Sequence, residues 1–468
     1  MTKILNTFLD QNFLLKNELA EKLYHQIAAK LPVVDFHNHL KPADLSSNRK
    51  FSSIADAWLL FDPYKHRAMR ICGVEEKYIT GNATEKEKFL KWAETLPKLL
   101  GNPLFLWSAL ELKRLFGIEE LLTEKNAEEI WNFCNEKLQG DDFGTIDILK
   151  KFNAEKLVTS DDLLDDTSHH QQATQNYGLE VYPSLRGDTM INIDLPAFKD
   201  WFEKLKSSTG KKIDNLEHYK LALVPHLEKF KKAGCVISDH SLDEKFSFKQ
   251  ATEKNAAAAF KNWISSNQLS REDVVQFKNH MLDWLGKEYA KRGWAMQLHI
   301  GAQRFTSSRL RAVAGVHGGY AAVGNSCDID GLCHFMDGLE KEKLLPKMIL
   351  YNLNPVDNEA LATLTGSYSE DGVAGKIQFG PAWWYNDHFD GIIRQLTAVA
   401  NYGVLSRFIG MTTDSRSVFS FSRHEYFRRI LCNLAATWVE QGNLPDNFEM
   451  LADLVKNVSY YNSKNWLS

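Results

Sequence analysis

Two histidines one residue apart follow a short apolar run near the start of the chain. The stretch Val33-Val34-Asp35-Phe36-His37-Asn38-His39 is typical of a β-strand that ends in imidazoles. Because side chains alternate between the faces of a strand, His37 and His39 point the same way, about 6.6 Å apart along the backbone. Two such imidazoles can share one divalent ion such as Zn²⁺. The spacing alone is weak evidence in a chain with 15 histidines, so the prediction depends on what else the fold brings to this strand end.

The composition argues against several classes of protein. A formal net charge of −4 with 25% charged residues, of interspersed sign, favours neither a nucleic-acid surface nor a membrane-adsorbing face. No apolar run approaches the 18 or so residues that a membrane-spanning helix needs. The six cysteines are scattered, and the chain opens on Met-Thr-Lys-Ile without a signal peptide. A reducing, cytoplasmic location is therefore expected.

Eight short apolar runs are spread along the chain, and each ends in polar or aromatic residues. They cover residues 33–37, 157–160, 181–185, 235–238, 295–298, 348–351, 377–379 and 408–411. Eight buried strands with helices between them predict an α/β fold of the (β/α)₈ TIM-barrel type, whose chemistry lies at the carboxyl ends of the strands. A doubly wound sheet is disfavoured because no Gly-rich phosphate-binding turn follows the first strand.

A long helical pattern separates the first apolar run from the second. It extends from about residue 52 to 151, is rich in Trp, Leu and Glu, and contains helix-ending signals at Gly73, Gly101-Asn102-Pro103 and Gly117. The predicted organisation has three parts. Residues 1–40 form N-terminal helices and the first strand, residues 41–152 a helical insertion that caps the barrel mouth, and residues 153–468 the rest of the barrel with C-terminal helices.

Closing these strands into a barrel brings chemically active side chains to one rim. They are His37, His39, Arg186, Asp239, His240, His299, Trp383, Asp414 and Arg416. Two histidines from strand one, one from strand five and an aspartate from strand eight form a nitrogen and oxygen ligand set with room for water or substrate, as in catalytic metal sites. The alternative for His299 is a histidine that is simply hydrogen-bonded at a strand end.

The arginines and tryptophans of this rim also have two interpretations. Arg186 and Arg416 present planar guanidinium groups suited to a carboxylate, but their spacing equally allows salt bridges to Asp188 or Asp414. The pair Trp383-Trp384 forms either a wall that stacks on a sugar or ordinary barrel packing. In the helical region, residues 64–70 include a cluster of titratable groups. This cluster either reaches over the barrel mouth or forms a solvated helix face.

Together these motifs resemble the uronate (glucuronate) isomerase family, a divergent branch of the amidohydrolase superfamily. The resemblance extends from about residue 5 to the C-terminus. It is carried by His37-Asn38-His39-Leu40, Tyr64 through Arg70, Leu185-Arg186-Gly187-Asp188, Ser238-Asp239-His240, Leu298-His299-Ile300-Gly301 with Arg304, Leu353-Asn354-Pro355, Trp383-Trp384, Thr413-Asp414-Ser415-Arg416-Ser417 and Arg423 through Arg429.

The resemblance implies an aldose-ketose isomerase in sugar-acid catabolism. Its members interconvert D-glucuronate with D-fructuronate and D-galacturonate with D-tagaturonate, so the expected partner is a small hexuronate. The resemblance also implies one divalent metal ion, with Zn²⁺ expected, on His37, His39 and Asp414, and with His299 as a further candidate ligand. One departure is Pro63, where the family commonly has histidine, and His66 is a candidate replacement.

The expected chemistry moves a proton from C2 to C1 through an enediol, with a hydride shift as the rival. Asp414 and Tyr64 are assigned as the acid/base pair, Arg416 as the group that stabilises the enediolate oxygen, and Arg186 as the carboxylate-binding residue. Trp383, His66, Asp239 and His240 are assigned to substrate contacts.

The alternative function is a mononuclear metal-dependent hydrolase or decarboxylase. The two rim arginines, and the absence of a metal-bridging lysine at the end of strand four, argue against it. The aromatic content and the helical region also leave surface for a homo-oligomer.

Overall fold

The computed structural model of the protein describes residues 8–243 and 246–467. Its strands, in chain order, are β1 (Val33–Asn38), β2 (Ala154–Asp162), β3 (Glu180–Arg186), β4 (Ile237–Leu242), β5 (Ala295–Ile300), β6 (Ala302–Gln303), β7 (Ala322–Val323), β8 (Met348–Asn352) and β9 (Ile377–Phe379). Seven of them form one parallel sheet in the order β1-β2-β3-β4-β5-β8-β9, and β6 pairs with β7 in a separate antiparallel hairpin.

Helices connect these strands. The α-helices are α1 (Glu18–Lys22), α2 (Pro42–Ser46), α3 (Ile54–Trp58), α4 (Pro63–Ile71), α5 (Glu85–Thr95), α6 (Pro103–Phe116), α7 (Ala127–Leu138), α8 (Thr145–Lys151), α9 (Ser168–Tyr177), α10 (Asp188–Ile191), α11 (Pro196–Thr209), α12 (Leu216–Lys232), α13 (Glu253–Ser266), α14 (Arg271–Arg292), α15 (Ser308–Ala314), α16 (Ile329–Lys341), α17 (Asn358–Ser367), α18 (Phe389–Tyr402), α19 (Ser422–Glu440), α20 (Phe448–Lys456) and α21 (Asn462–Trp466).

Short 3₁₀ and π segments complete the helical structure. The 3₁₀ segments are Ala28–Lys30, Glu76–Tyr78, Leu96–Lys98, Pro355–Asp357, Trp384–Asn386, Leu405–Arg407 and Val418–Phe421, and the π segments are Leu23–Ile27 and Asn457–Tyr461. None of the helices in the described part of the chain is both long enough and apolar enough to cross a membrane.

The sheet strands are buried because helices cover them. Every residue of β1, β5, β8 and β9 is buried, as expected for parallel strands whose sequences are nearly continuous apolar runs. Seven of the eight predicted strands are confirmed, although β4 begins at Ile237, two residues later than expected. The region between β1 and β2 contains α2 to α8 and, in the structure, no strand. That residues 41–152 form a separate insertion stays a prediction.

The predicted eighth strand, residues 408–411, is wrong: the described chain forms no ladder there. Instead, an extended segment contacts both β9 and β1 through individual bonds. The Ile409 N–H donates to the side-chain oxygen of Gln378 at 2.9 Å, and the Asp414 N–H donates to the His37 carbonyl at 2.9 Å. A side chain thus takes the place of a backbone partner, and Gly410, with φ at +92°, interrupts the extended backbone.

Replacing Gly410 is expected to damage this segment. A Cβ atom at Gly410 would lie 2.3 Å from the Val458 carbonyl oxygen, at a φ that L-residues rarely adopt. We expect Gly410→Ala to lower the free energy of unfolding by about 3 kcal/mol. Urea denaturation would measure the loss. The matched control is Gly442→Ala, which also has a positive φ but nothing within 4 Å, and should lose only about 1 kcal/mol. Equal losses at both positions would contradict the role of the Val458 contact.

Candidate active site

A cavity of about 1240 Å³, including its open mouth, lies at the carboxyl ends of the sheet strands. Its wall is built from strand ends, from the helical region between β1 and β2, and from the loop between β6 and β7. Nine of the residues selected from the sequence line it: His37, His39, Tyr64, Arg186, Asp239, His299, Trp383, Asp414 and Arg416. The fold therefore brings together residues that are nearly 380 positions apart in the sequence.

His37, His39 and Asp414 form a compact three-residue centre. The Nε2 atoms of His37 and His39 lie 3.3 and 2.9 Å from the same Asp414 oxygen, Oδ1. One ligand atom from each residue lies within 4.8 Å of the other two. Two imidazole nitrogens and one carboxylate oxygen are a donor set that suits a single divalent ion with open coordination positions. The residues present therefore fit the predicted metal ion.

The other oxygen of Asp414 is fixed by two indoles. Trp383 and Trp384 donate from Nε1 to Asp414 Oδ2 at 2.8 and 2.9 Å. Asp414 and Trp384 both have a left-handed backbone, with φ of 48° and 49°, which costs a non-glycine residue about 1 kcal/mol or more and persists only where contacts impose it. Trp383 thus acts as a hydrogen-bond donor, a role that neither sugar stacking nor packing had suggested.

The charge of Asp414 is set by these neighbours. Burial raises the pKa of the carboxyl, but the hydrogen bonds and charges of His37 and His39 outweigh burial, so that the pKa lies well below its ordinary value. Asp414 is therefore a carboxylate at neutral pH. It can accept a proton or bind a cation, but it does not begin as a proton donor.

A buried carboxylate beneath the centre ties β1 to the segment that carries Asp414. Asp35 is fully buried and accepts from the Thr413 N–H at 2.9 Å, the Thr412 hydroxyl at 3.1 Å, the Asn38 amide at 3.0 Å and His424 Nε2 at 2.9 Å. Four donors satisfy the carboxylate and hold its pKa below the ordinary value despite the opposing effect of burial. Asp35 therefore positions the residues next to Asp414, a role that the sequence analysis did not assign.

His299 lies against the centre without joining the three-residue group. Its ring is 4.6 Å from the His37 ring and stacks on Tyr351 at 4.2 Å. Its Nε2 atom is buried and, among the described residues, has no hydrogen-bond partner. Burial, with the nearby His37 charge, lowers its pKa well below the ordinary value, so the imidazole is neutral. Ligation by His299 stays a prediction.

The two rim arginines differ in their partners. Arg186 donates from Nε to Asp188 at 2.8 Å, so one edge of its guanidinium group is in a salt bridge, and its terminal amino groups make no hydrogen bond within the described chain. Burial lowers the pKa of Arg186, but Asp188 and Asp239 outweigh burial and raise it. Arg416 has neither a hydrogen bond nor an ion pair in the described residues, and burial lowers its pKa. Arginine stays charged in both cases, so two guanidinium groups are available in the cavity.

Tyr64 enters the cavity from the first turn of α4. The Asp62 side chain caps this helix by accepting from the N–H groups of Tyr64 (2.9 Å) and Lys65 (3.1 Å). Pro63 occupies the first helical position, where its fixed φ suits the helix and its missing N–H costs nothing. Burial raises the pKa of Tyr64 well above the ordinary value, so the phenol keeps its proton. His66 does not replace the missing histidine, because it is buried away from the cavity and donates to the Leu59 carbonyl at 3.0 Å.

Asp239 and His240, which are adjacent in β4, have different environments. Asp239 lines the cavity and accepts from Ser160 (3.1 Å) and Ser184 (2.9 Å), and burial raises its pKa. His240 is fully buried and hydrogen-bonds with the Tyr289 hydroxyl at 3.0 Å. A Cβ atom at Gly187 would lie 1.9 Å from its ring, so the imidazole packs under the chain after β3. The structure does not bring His240 to the cavity wall.

The cavity also contains charged residues to which the sequence analysis gave no role. They are Lys65, Glu111, Arg304, His317 and Arg423. Arg423 donates to the Asp387 carboxylate and to the Thr413 carbonyl, and so supports the residue before Asp414. Lys65, Arg304 and Arg423 lie in motifs on which the family resemblance rests, whereas Glu111 and His317 carried no sequence signal. These two lie on a helix and a loop, where charged residues are ordinarily solvated.

The chain is similar to known proteins over nearly its whole length. The model of the glucuronate isomerase family matches residues 5–467. A uronate isomerase of Caldanaerobacter subterraneus is 43% identical over 462 residues, which are 98% of this chain and 99% of that protein. A crystal structure of uronate isomerase from Thermotoga maritima superposes with a TM-score of 0.92 at 32% identity, over 99% of this chain and 100% of that one. A glucuronate isomerase structure from Caulobacter crescentus shares the fold with a TM-score of 0.90 at 22% identity, over 98% and 96% of the two chains. The chain therefore belongs to the glucuronate isomerase family.

Proposed function

We propose that the protein interconverts hexuronate aldoses and ketoses, D-glucuronate with D-fructuronate and D-galacturonate with D-tagaturonate. The observation that carries this proposal is one cavity that contains a phenol, a carboxylate and two guanidinium groups, from Tyr64, Asp414, Arg186 and Arg416. Burial raises the pKa of Tyr64, which keeps its proton, and the histidine partners of Asp414 lower the pKa of its carboxyl, which stays ionised. The cavity therefore holds one group that can donate a proton and one that can accept a proton. The family assignment supports the same reaction.

In this mechanism the ionised Asp414 accepts the proton from C2 of the open-chain sugar, and the Tyr64 phenol donates a proton to O1, which gives the enediol. Asp414 then delivers its proton to C1, and Tyr64 regains a proton from O2, which becomes the carbonyl oxygen of the ketose. Arg416, which has no protein partner in the described residues, lies in the same cavity as Asp414 and stabilises the enediolate oxygen. Trp383 and Trp384 hold Asp414 Oδ2, so the carboxylate is oriented before the substrate arrives.

The substrate carboxylate is assigned to Arg186. Its Nε is held by Asp188, which orients the guanidinium and leaves its terminal amino groups for bidentate binding of a carboxylate. A hydrolase or decarboxylase is not favoured, because the family match covers nearly the whole chain and because the cavity offers an acid/base pair beside guanidinium groups that still have free N–H donors.

Several finer statements belong to the same proposal. One divalent ion, with Zn²⁺ expected, would be held by His37, His39 and Asp414, and when bound it would supply Lewis-acid polarisation of a substrate oxygen. Residues 408–416 would close the sheet as the eighth element of a (β/α)₈ barrel, with α2 to α8 capping its mouth. A cytoplasmic location and a homo-oligomer stay predictions from the sequence.

The function is tested by incubating the purified protein with D-glucuronate and, separately, with D-galacturonate. We expect ketose from at least one sugar, and at least a tenfold fall in rate after chelation that is restored by Zn²⁺. Ketose formation can be followed colorimetrically. A folded, metal-loaded protein that forms no ketose from either sugar would refute the isomerase proposal. An undiminished rate in protein shown to be metal-free would refute the proposed role of the ion.

The carboxylate role of Arg186 gives a separate prediction. In Arg186→Met the long side chain remains but no cation faces the substrate, so we expect the KM for D-glucuronate to rise at least tenfold and kcat/KM to fall by about two orders of magnitude. Metal content should not change, because Arg186 contacts none of the three ligand residues. Steady-state kinetics and metal analysis would measure both. Arg271→Met, on the exposed first turn of α14, is the control. Unchanged kinetics in Arg186→Met would remove this residue from the site.

A further inference from the structure

The loop between β6 and β7 is attached to α4 beside the cavity. The Ala321 carbonyl of this loop accepts hydrogen bonds from Arg67 at 2.9 Å and from the Tyr385 hydroxyl at 2.7 Å. At Gly319, where φ is +77°, a Cβ atom would lie 2.1 Å from the Pro63 carbonyl oxygen. The loop backbone is therefore in direct contact with the start of the helix that carries the catalytic tyrosine, and its position is fixed relative to the cavity.

His317 lies on this loop and lines the cavity. Its side chain is exposed and, among the described residues, has no hydrogen bond or ion pair. His66 and His240 differ in both respects, because each is buried and hydrogen-bonded within the protein. An imidazole that faces the cavity without a protein partner is free to bind a ligand there.

The surroundings of His317 are cationic. Partial desolvation by the cavity wall and the positive charges of Arg416, Arg186 and Arg304 lower the pKa of His317 below its ordinary value, so the ring is neutral at neutral pH. A neutral imidazole has one N–H donor and one nitrogen acceptor, whereas an arginine side chain only donates. His317 therefore adds a hydrogen-bond acceptor to a wall that the three guanidinium groups would otherwise make purely donating.

We propose that His317 is a substrate-binding residue that hydrogen-bonds the hydroxyl group at C4 or C5 of the bound uronate. The inference rests on the proposed function, because the arginines beside His317 are assigned to the substrate carboxylate at C6 and the enediolate oxygen. A hydroxyl close to that carboxylate can donate to the imidazole. The two uronates differ in configuration at C4, so a contact with that hydroxyl would also favour one sugar over the other.

The test compares His317→Phe, which keeps a flat ring but no hydrogen bond, with His317→Gln, which keeps a donor and an acceptor. We expect His317→Phe to lower kcat/KM for D-glucuronate about five- to tenfold, mostly through KM, and His317→Gln to recover most of the loss. A change in the ratio of kcat/KM between the two uronates would assign the contact to C4, and an equal loss for both would assign it to C5. The control is His334→Phe, the same substitution on the exposed face of α16.

Binding of L-gulonate, which is D-glucuronate with its aldehyde reduced to an alcohol, gives a readout that does not depend on turnover. Calorimetry should show its Kd rising about five- to tenfold in His317→Phe and staying near wild type in His317→Gln. If wild type bound L-gulonate but isomerised neither uronate, the proposed function would fail, whereas the calorimetric comparison would still test the contact. KM and Kd values in His317→Phe within twofold of wild type would overturn the inference. So would a His317→Gln variant, folded with an unchanged Tm, that is as impaired as His317→Phe.

Discussion

Asp414→Asn is expected to lower kcat at least a thousandfold and to weaken metal binding. Both oxygens of Asp414 act as acceptors, Oδ1 towards His37 and His39 and Oδ2 towards Trp383 and Trp384. The amide group of asparagine has an oxygen that accepts and an NH₂ group that only donates. In the variant, the NH₂ group must therefore face either the indole N–H donors of Trp383 and Trp384 or the side where His37 and His39 lie. The substitution also removes the base, and acid/base catalysis alone contributes about 10² to 10⁴.

Steady-state kinetics and metal analysis of the purified variant would measure both effects. The control is Asp371→Asn, an exposed aspartate in the turn before β9, which should keep wild-type values. A thermal midpoint within a few degrees of wild type would show that Asp414→Asn has folded. If the folded variant kept more than a tenth of the wild-type kcat, Asp414 could not be the base.

The protein is expected to lose about 3–4 kcal/mol of stability between pH 7 and pH 5 through two buried histidines alone. Burial lowers the pKa of both His66 and His240 to about 4. As the pH falls through about 6.5 the unfolded chain binds protons at these positions while the folded protein does not, so proton uptake favours unfolding. Their contribution is complete above pH 6.5 and is lost progressively down to about pH 4.

The free energy of unfolding in urea at pH 7 and pH 5 measures this effect. His66→Gln, which can still donate to the Leu59 carbonyl but does not titrate, should reduce the loss of stability between the two pH values by about 2 kcal/mol. His334→Gln removes an exposed histidine and should leave the dependence unchanged. Equal stabilities at the two pH values, or an unaltered dependence in His66→Gln, would show that these imidazoles are not held neutral by the fold.

The sheet and the metal-ligand candidates could be predicted from the sequence because local patterns specify them. A buried parallel strand is a short apolar run, and His37, Arg186 and His299 lie at or near the ends of such runs. Residues 408–411 are equally apolar, but a strand also needs backbone partners. Gly410 with its positive φ, and the Gln378 side chain that binds Ile409, replace those partners, and no local pattern reveals either of them.

Asp35 and His317 were not assigned to the site from the sequence, because their positions there depend on contacts between distant parts of the chain. Asp35 accepts hydrogen bonds from four donors, and three of these belong to Thr412, Thr413 and His424. His317 faces the cavity because its loop is attached to α4. His66 and His240 show the converse. Both lie next to cavity residues in the sequence, yet a side chain one position along a strand or helix points elsewhere, so sequence adjacency to Lys65 or Asp239 did not place them in the site.

The bonds of Asp35 also determine when the active site can assemble during synthesis. The Asp35 carboxylate pairs with Thr412, Thr413 and His424, which are 377, 378 and 389 residues later in the chain. A nascent chain emerging from the ribosome carries Asp35 and the two candidate metal ligands His37 and His39 for most of translation without these partners. Closing a loop of that length is also slow. The segment around β1 is therefore the part of the nascent protein that waits longest for its native hydrogen-bond partners. We expect chaperones to bind this segment during translation.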